Sequence, residues 1–226
     1  TNKPLLCLIL MTLFTISAMN TNNAMMVFFC QYNLGNIALQ PVVNGIMMGC
    51  SVVGILMIPK LVARFGKKQT AIGGLIIGCV ANVLKFFIPT NIYTFIVLVT
   101  VGYVALAIPN GITWALVSDV IDYSEWHNGI RKEGTTYAAF NFSRKIAQAI
   151  AAIVSAGILM LTGYVANAVQ SELTLTGIKA AMTLYPGVAL GLAALILWKL
   201  YDLSDDRYKQ IVADLAKGKW EKGNIE

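Results

Sequence analysis

Residues 92–119 read IYTFIVLVTVGYVALAIPNGITWALVSD, a run with no charged residue before Asp119 at its end. A stretch this long and this apolar is what a helix needs to cross about 30 Å of hydrocarbon. Similar runs recur on both sides of it, and we place the spans at residues 5–32, 39–62, 70–89, 92–119, 135–162 and 180–201. All six are predicted to be helical. A backbone in lipid must satisfy its own hydrogen bonds, and no alternating barrel strands of about ten residues occur. Several spans exceed the minimum length, which predicts tilt or kinks.

Composition agrees with an all-α membrane protein. The chain is 57% hydrophobic and 12% charged, with mean hydropathy +0.68, whereas a soluble domain spends about a quarter of its residues on charge. The net charge of +6 does not point to nucleic acid, because the basic residues sit in short clusters between apolar runs, as at helix ends facing anionic lipid. Lys60, Arg64, Lys67 and Lys68 follow the second span, and Arg131 and Lys132 follow the fourth. Arg207, Lys209, Lys217, Lys219 and Lys222 lie in the tail. The opposite connections, 33–38, 90–91 and 163–179, contain only Lys179. The positive-inside rule then puts both ends of the chain in the cytoplasm.

Cys7, Cys30, Cys50 and Cys79 all fall in apolar runs without metal-ligand spacing, so they are expected to be free core thiols. No signal peptide is read, and the missing initiator methionine suggests a fragment or a processed piece. Residues 203–226 form a tail in which Leu203, Ile211, Val212 and Leu215 lie among charges. A short amphipathic helix and a plain solvated tail fit that pattern equally.

Polar groups at membrane depth carry the functional reading, because they are costly unless they face a cavity or a partner. Arg144 and Lys145 lie about 15 Å into the fifth span, too deep to reach the interface cheaply. Tyr137, Asn141, Lys145 and Gln148 recur at helical spacing and so share a face, which reads as a cavity wall. A buried ion pair is the alternative, and the spans offer no midplane carboxylate for it. Asn20-Thr21-Asn22-Asn23 interrupts the first span. Asn20 and Asn23 share a face that suits either solute hydroxyls or helix–helix hydrogen bonds. In the fourth span Pro109 invites a kink, and Asn110 and Trp114 share a face. The indole suits stacking on a pyranose and equally suits ordinary packing. Finally, Asp119, Asp122, Glu125, Arg131 and Glu133, with Arg64 at the same level, can form a charge network at the inner mouth or simply be solvated by headgroups. His127 lies in this loop with no catalytic role assigned. The spans supply no nucleophile–base pair and no zinc motif, which argues against an enzyme or a metal site. Rings of one charge that would argue for a pore are also missing.

The string SDVIDYSEWHNGIRKEG at 118–134, followed by Tyr137 and Arg144-Lys145, resembles the glycoside-pentoside-hexuronide:cation symporter family of the major facilitator superfamily. RFGKK at 64–68 is similar to that family's basic loop, and GYVANAVQ at 163–170 to an outer loop of its glucuronide carrier branch. The resemblance implies helices seven to twelve of a twelve-helix transporter, the C-terminal bundle. It implies that Lys145 lines the sugar cavity and that Asp119 and Arg131, with Arg64 as a third member, belong to an inner gate. Arg144 stands where the melibiose permease branch has an apolar residue, and a second cation there favours a sugar acid. The resemblance further implies a bacterial inner-membrane location and alternating access. The N-terminal half of the same transporter would be the partner, and the coupling H⁺ or Na⁺ would bind on that half, with no other cofactor. Uncoupled facilitation or efflux of sugar is the competing reading.

Overall fold

The computed structural model describes residues 2–89 and 91–220. Thr90 of the short loop and Lys222 of the basic tail lie outside them. Among the described residues six helical stretches are long and apolar enough to cross a membrane, and the chain is an all-α, multi-pass membrane protein. Helix α1 (Lys3–Phe28) runs into a π-helical turn (Phe29–Asn33). It is followed by α2 (Leu39–Phe65), α3 (Lys67–Phe87), α4 (Ile92–Asn128), α5 (Glu133–Leu161), α6 (Glu172–Met182), α7 (Leu184–Leu200) and α8 (Asp205–Ala216). Several starts are capped by the residue types that favour this role. The Asn91 side chain accepts from Tyr93 N–H at 3.1 Å, Ser171 Oγ from Thr174 N–H at 3.2 Å, and Ser204 Oγ from Arg207 N–H at 3.3 Å.

The interior is built by α1, α3, α4 and α7. Helix α3 lies against α4 and α7, and α1 lies against α7 and α5, while α2 packs mainly on α4. Helices α2 and α5 bury little of their surface. Only Val43, Met47, Cys50 and Gly54 of α2 are buried. The buried residues of α5 are Thr136, Phe140, Ser143, Ala147, Ala151 and Ser155, spaced three or four apart in one narrow stripe. After Phe140 that stripe contains only small side chains, which let α5 approach α1 closely without a hydrophobic driving force.

Prolines shape two contacts. Pro109 leaves the carbonyl of Ala105 without its helical donor, and α3 meets this place through Gly74. A Cβ on Gly74 would stand 2.7 Å from Ala105 O and 2.8 Å from Pro109 Cδ. On the other side of α4, a Cβ on Gly54 of α2 would stand 2.6 Å from Val104 O and 2.7 Å from Ala107 Cβ. Both obstacles are backbone or short side chain and cannot swing away. Gly54→Leu and Gly74→Leu are therefore expected to destabilise the protein by about 1–3 kcal/mol each, as overpacked cores do. A thermal melt of the purified transporter checks this, with Gly73→Leu, which faces open space, as the tolerated control.

Two boundaries differ from the sequence reading, each for a physical reason, and the tail takes one of its two readings. The fourth helix does not stop at Asp119 but runs to Asn128, because leaving lipid ends a hydrophobic run without ending a helix. The last span begins at Glu172, not near residue 180, and breaks at Thr183. Pro186 has no N–H to give the carbonyl of Met182, and Asn22 Nδ2 of α1 supplies that donor at 2.8 Å. The tail forms α8, and Leu203 and Ile211 are buried in the same core as α1, α4 and α7, so this amphipathic helix docks on the bundle.

Candidate functional site

Two adjoining cavities open on the side of the bundle formed by α1, α2, α4 and α5. The first, about 390 Å³, is walled by Thr12 and Thr15 of α1, Ser51 of α2, Asn110 and Trp114 of α4, and Phe140 and Arg144 of α5, among others. The second, about 450 Å³, is walled by Trp114, Asn141, Phe142, Arg144, Lys145 and Gln148. Trp114 and Arg144 border both. Their volumes match those of small-molecule pockets.

The partition between the cavities follows from the helix. Consecutive residues turn by about 100°, so Arg144 and Lys145 point differently. The Arg144 guanidinium sits 5.3 Å from the Trp114 ring centroid and 5.9 Å from that of Phe140. Trp114 meets Phe140 edge-on at 5.4 Å, which fixes the indole plane. A cation over two aromatic rings is held in place by the ring quadrupoles while its N–H donors stay available. Lys145 is exposed, and among the described residues Nζ makes only a long contact to Gln148 Oε1 at 3.4 Å.

Polar groups of the first cavity divide into committed and uncommitted. The hydroxyls of Thr15, Ser51 and Thr113 donate to Met11 O, Met47 O and Pro109 O in their own helices. They present lone pairs to the cavity. Thr12 Oγ1 is buried with no hydrogen-bond partner among the described residues. Asn110 Nδ2 reaches the Met19 sulfur at 3.8 Å, a weak interaction. A wall of this kind, with an aromatic plane, one cation and dispersed acceptors, and with Lys145 in the adjoining cavity, offers partners to a solute that carries hydroxyls and a negative charge.

A second polar cluster sits at the end of the bundle that bears α8. Lys67 Nζ bridges both carboxylate oxygens of Asp119 at 2.8 and 2.7 Å. Arg131 Nη1 donates to Asp122 at 2.8 Å and to Glu125 at 2.7 Å, and its Nε lies 3.5 Å from Glu133. Those bonds to Glu125 and Asp122 hold the guanidinium more firmly protonated than usual. Helix α8 closes the cluster. Tyr208 Oη donates to Asp122 Oδ2 at 2.9 Å, Asp205 Oδ2 accepts from Lys67 N–H at 3.0 Å, and Lys67 Nζ lies 4.6 Å from the Tyr208 ring centroid. Burial and the Asp122 bond push the Tyr208 phenol up, which keeps it a donor.

Residues 1–205 match the family model described as MFS/sugar transport protein. The chain belongs to the MFS/sugar transport protein family. It is 53% identical over 215 residues to the uncharacterized symporter YjmB of Bacillus subtilis, covering 95% of this chain and 47% of that protein. To a putative sulfoquinovose importer of Salmonella typhimurium it is 38% identical over 219 residues, covering 96% and 46%. To a glucuronide carrier protein homolog of Escherichia coli it is 31% identical over 223 residues, covering 96% and 48%. The chain thus spans about half the length of the curated relatives it matches, in keeping with the resemblance to the glycoside-pentoside-hexuronide:cation symporters.

Within this MFS fold, the sequence-predicted residues separate. Arg144, Lys145, Asn141, Gln148, Trp114 and Asn110 come together on the cavity walls. Tyr137 packs against the core. Asn20 donates to Ile16 O of its own helix at 2.8 Å, and Asn23 Oδ1 accepts from Tyr103 Oη at 2.7 Å. Neither asparagine stands on the wall of either cavity. Of the charged residues, Asp119, Asp122, Glu125 and Arg131 join one cluster. The exposed Arg64 lies 5.2 Å from the ring of its neighbour Phe65, and Lys67 holds Asp119 instead. Sequence reasoning counted Lys67 as one basic residue among several. Its place at the first residue of α3, where a cation opposes the helix dipole, was the available signal that it needs an acidic partner. Thr12 carried no signal, since one hydroxyl in an apolar run is ordinary.

Proposed function

We propose that this chain is the C-terminal, sugar-facing half of a cation-coupled transporter for anionic monosaccharides, sugar acids in particular. The observation that carries the reading is Arg144, seated on Trp114 at the boundary of two cavities with Lys145 beside it. A guanidinium pairs a carboxylate or sulfonate by charge-assisted, often bidentate hydrogen bonds. The indole stacks on the apolar face of the ring, and Asn110, Thr12 and Asn141 read hydroxyls. The names of the sulfoquinovose importer and glucuronide carrier relatives accord with an anionic sugar.

The exposed apolar faces of α2 and α5, with Val52, Leu56 and Ile153 among their residues, form the seam against the N-terminal six-helix half. The two bundles rock about the cavity, which sits between them. The basic end bearing α8 faces the cytoplasm of a bacterial cell, so both ends of this chain lie inside. Lys67, Asp119 and α8 belong to one bundle, so they weld its cytoplasmic end into a unit that moves as one. Arg131 and Glu133, more exposed, are left to meet the other half when the inner mouth closes. The coupling H⁺ or Na⁺ binds on the N-terminal half, and the protein performs no chemistry on its solute.

The test is uptake of labelled glucuronate and of a neutral glucoside by the full-length transporter in cells, with Na⁺ and pH gradients imposed in turn. Preference for the uronate and accumulation driven by one gradient are expected. Equal uptake of both solutes sinks the anionic reading, and gradient-independent equilibration assigns uncoupled facilitation instead.

A further inference from the structure

A third cavity, at the end of the bundle that bears α8, serves none of the roles above. It measures about 300 Å³ and is walled chiefly by Lys3 at the start of α1, Tyr123 and His127 of α4, Asp202 and Leu203 between α7 and α8, and Arg207 of α8. That volume lies at the lower end of the range for small-molecule pockets.

The cavity carries charges of both signs that do not pair. Lys3, Asp202 and Arg207 are exposed, and among the described residues none of the three makes an ion pair. Their separation is built in. Asp202 stands between Tyr201 and Leu203, both buried in the core, and Ser204 N–H donates to Asp202 O at 3.1 Å, so its backbone is fixed. Ser204 Oγ in turn holds Arg207 N–H at the start of α8. The Arg207 guanidinium rests 5.9 Å from the Tyr123 ring centroid, and Tyr123 stacks on His127 at 5.7 Å. Seated on a ring, the guanidinium keeps its N–H donors available.

Depth narrows the ligand. Trp198, 59% exposed, and Lys199 end α7, and such residues mark the membrane–water interface. Asp202 follows Lys199 by three residues, so the cavity lies at headgroup level. Leu6, one turn after Lys3 and on its face, is exposed and continues an apolar surface from the cavity toward the hydrocarbon. Lys3 and Arg207 suit a phosphate, whereas Asp202 disfavours a purely anionic group and suits an ammonium.

We propose that this cavity binds a phosphoethanolamine group, supplied by the headgroup of a zwitterionic membrane lipid. Arg207 and Lys3 take the phosphate, Asp202 takes the ammonium, and the bound headgroup ties the start of α1 to α4 and α8. The site is separate from the solute cavities and does not depend on what they carry.

The experiment is thermal unfolding of the purified full-length transporter in detergent, titrated with short-chain phosphatidylethanolamine, with phosphatidylglycerol, or with free O-phosphoethanolamine. Phosphatidylethanolamine is expected to raise the melting temperature by several degrees, saturably, and phosphatidylglycerol by less. Asp202→Asn is expected to erase that preference, and Arg207→Gln to weaken the response to both lipids. A shift from phosphatidylglycerol as large as that from phosphatidylethanolamine, or a preference that persists in Asp202→Asn, overturns the proposal. Free O-phosphoethanolamine matching the lipid assigns the same site to a soluble ester, and no effect of it assigns the site to the bilayer. Should Asp202→Asn fail to fold, the structure of the native protein in phosphatidylethanolamine nanodiscs decides. Headgroup density between Arg207 and Asp202 supports the site, and an empty cavity rejects it.

Discussion

Arg144→Gln is expected to lower uptake of a sugar acid about 10- to 100-fold while leaving a neutral glycoside within about threefold. A hydrogen bond to a charged group contributes about 1.5–3 kcal/mol, and each 1.4 kcal/mol is a factor of ten in affinity. Glutamine keeps a planar N–H donor group on a shorter stem and removes the charge, so the contrast between the two solutes reads the anion-specific part. Lys145→Ala should lower uptake of both solute classes. Its ammonium is exposed in the second cavity with one long contact to Gln148, and its donors suit hydroxyls as well as a carboxylate. Initial uptake rates for the two solutes across the two variants separate these roles. If Arg144→Gln depresses both solutes equally, the guanidinium serves mainly to hold Trp114 and Phe140, and the anion reading fails.

Lys67 and Asp119 are expected to respond unequally to removal of the partner. The Asp119 side chain is 6% exposed and that of Lys67 is 25% exposed. Lys67→Met strands a buried carboxylate, and breaking a buried pair in this way costs about 3–5 kcal/mol. Asp119→Asn leaves an ammonium that can turn to water and lie over Tyr208, so its cost should fall nearer 1–2 kcal/mol, in the range of a lost hydrogen bond to a charged group. The double variant Lys67→Met/Asp119→Asn should recover most of the larger loss, because no uncompensated charge remains. Unfolding of the four proteins in detergent forms the cycle that measures the coupling. Additive effects would show that the pair does not hold α3 to α4.

Helix α8 illustrates why part of this architecture could not be read along the chain. The pattern of Leu203, Ile211 and Val212 shows one apolar edge, which lipid, solvent-side packing or a protein surface could cover. Its burial depends on Tyr208 meeting Asp122 and on Asp205 meeting the start of α3, contacts between residues more than eighty positions apart. The asparagines of α1 make the same point. Their spacing placed Asn20 and Asn23 on one face, yet Asn22 does the buried work, because the vacancy it fills is created by Pro186 on another helix.

What the sequence determined by itself was the solvent. Hydropathy and the length of each run are local properties, so six spans, the basic end and the depth of Arg144 and Lys145 follow from counting. The Trp114 and Asn110 face followed equally from helical spacing. Tertiary structure alone decided the partners. It set Arg144 on Trp114 and Lys145 beside Gln148, and chose Lys67 over Arg64 for Asp119. The physical reason is that a helix fixes where its side chains point relative to one another, whereas the group each one meets is set by how neighbouring helices rotate and pack.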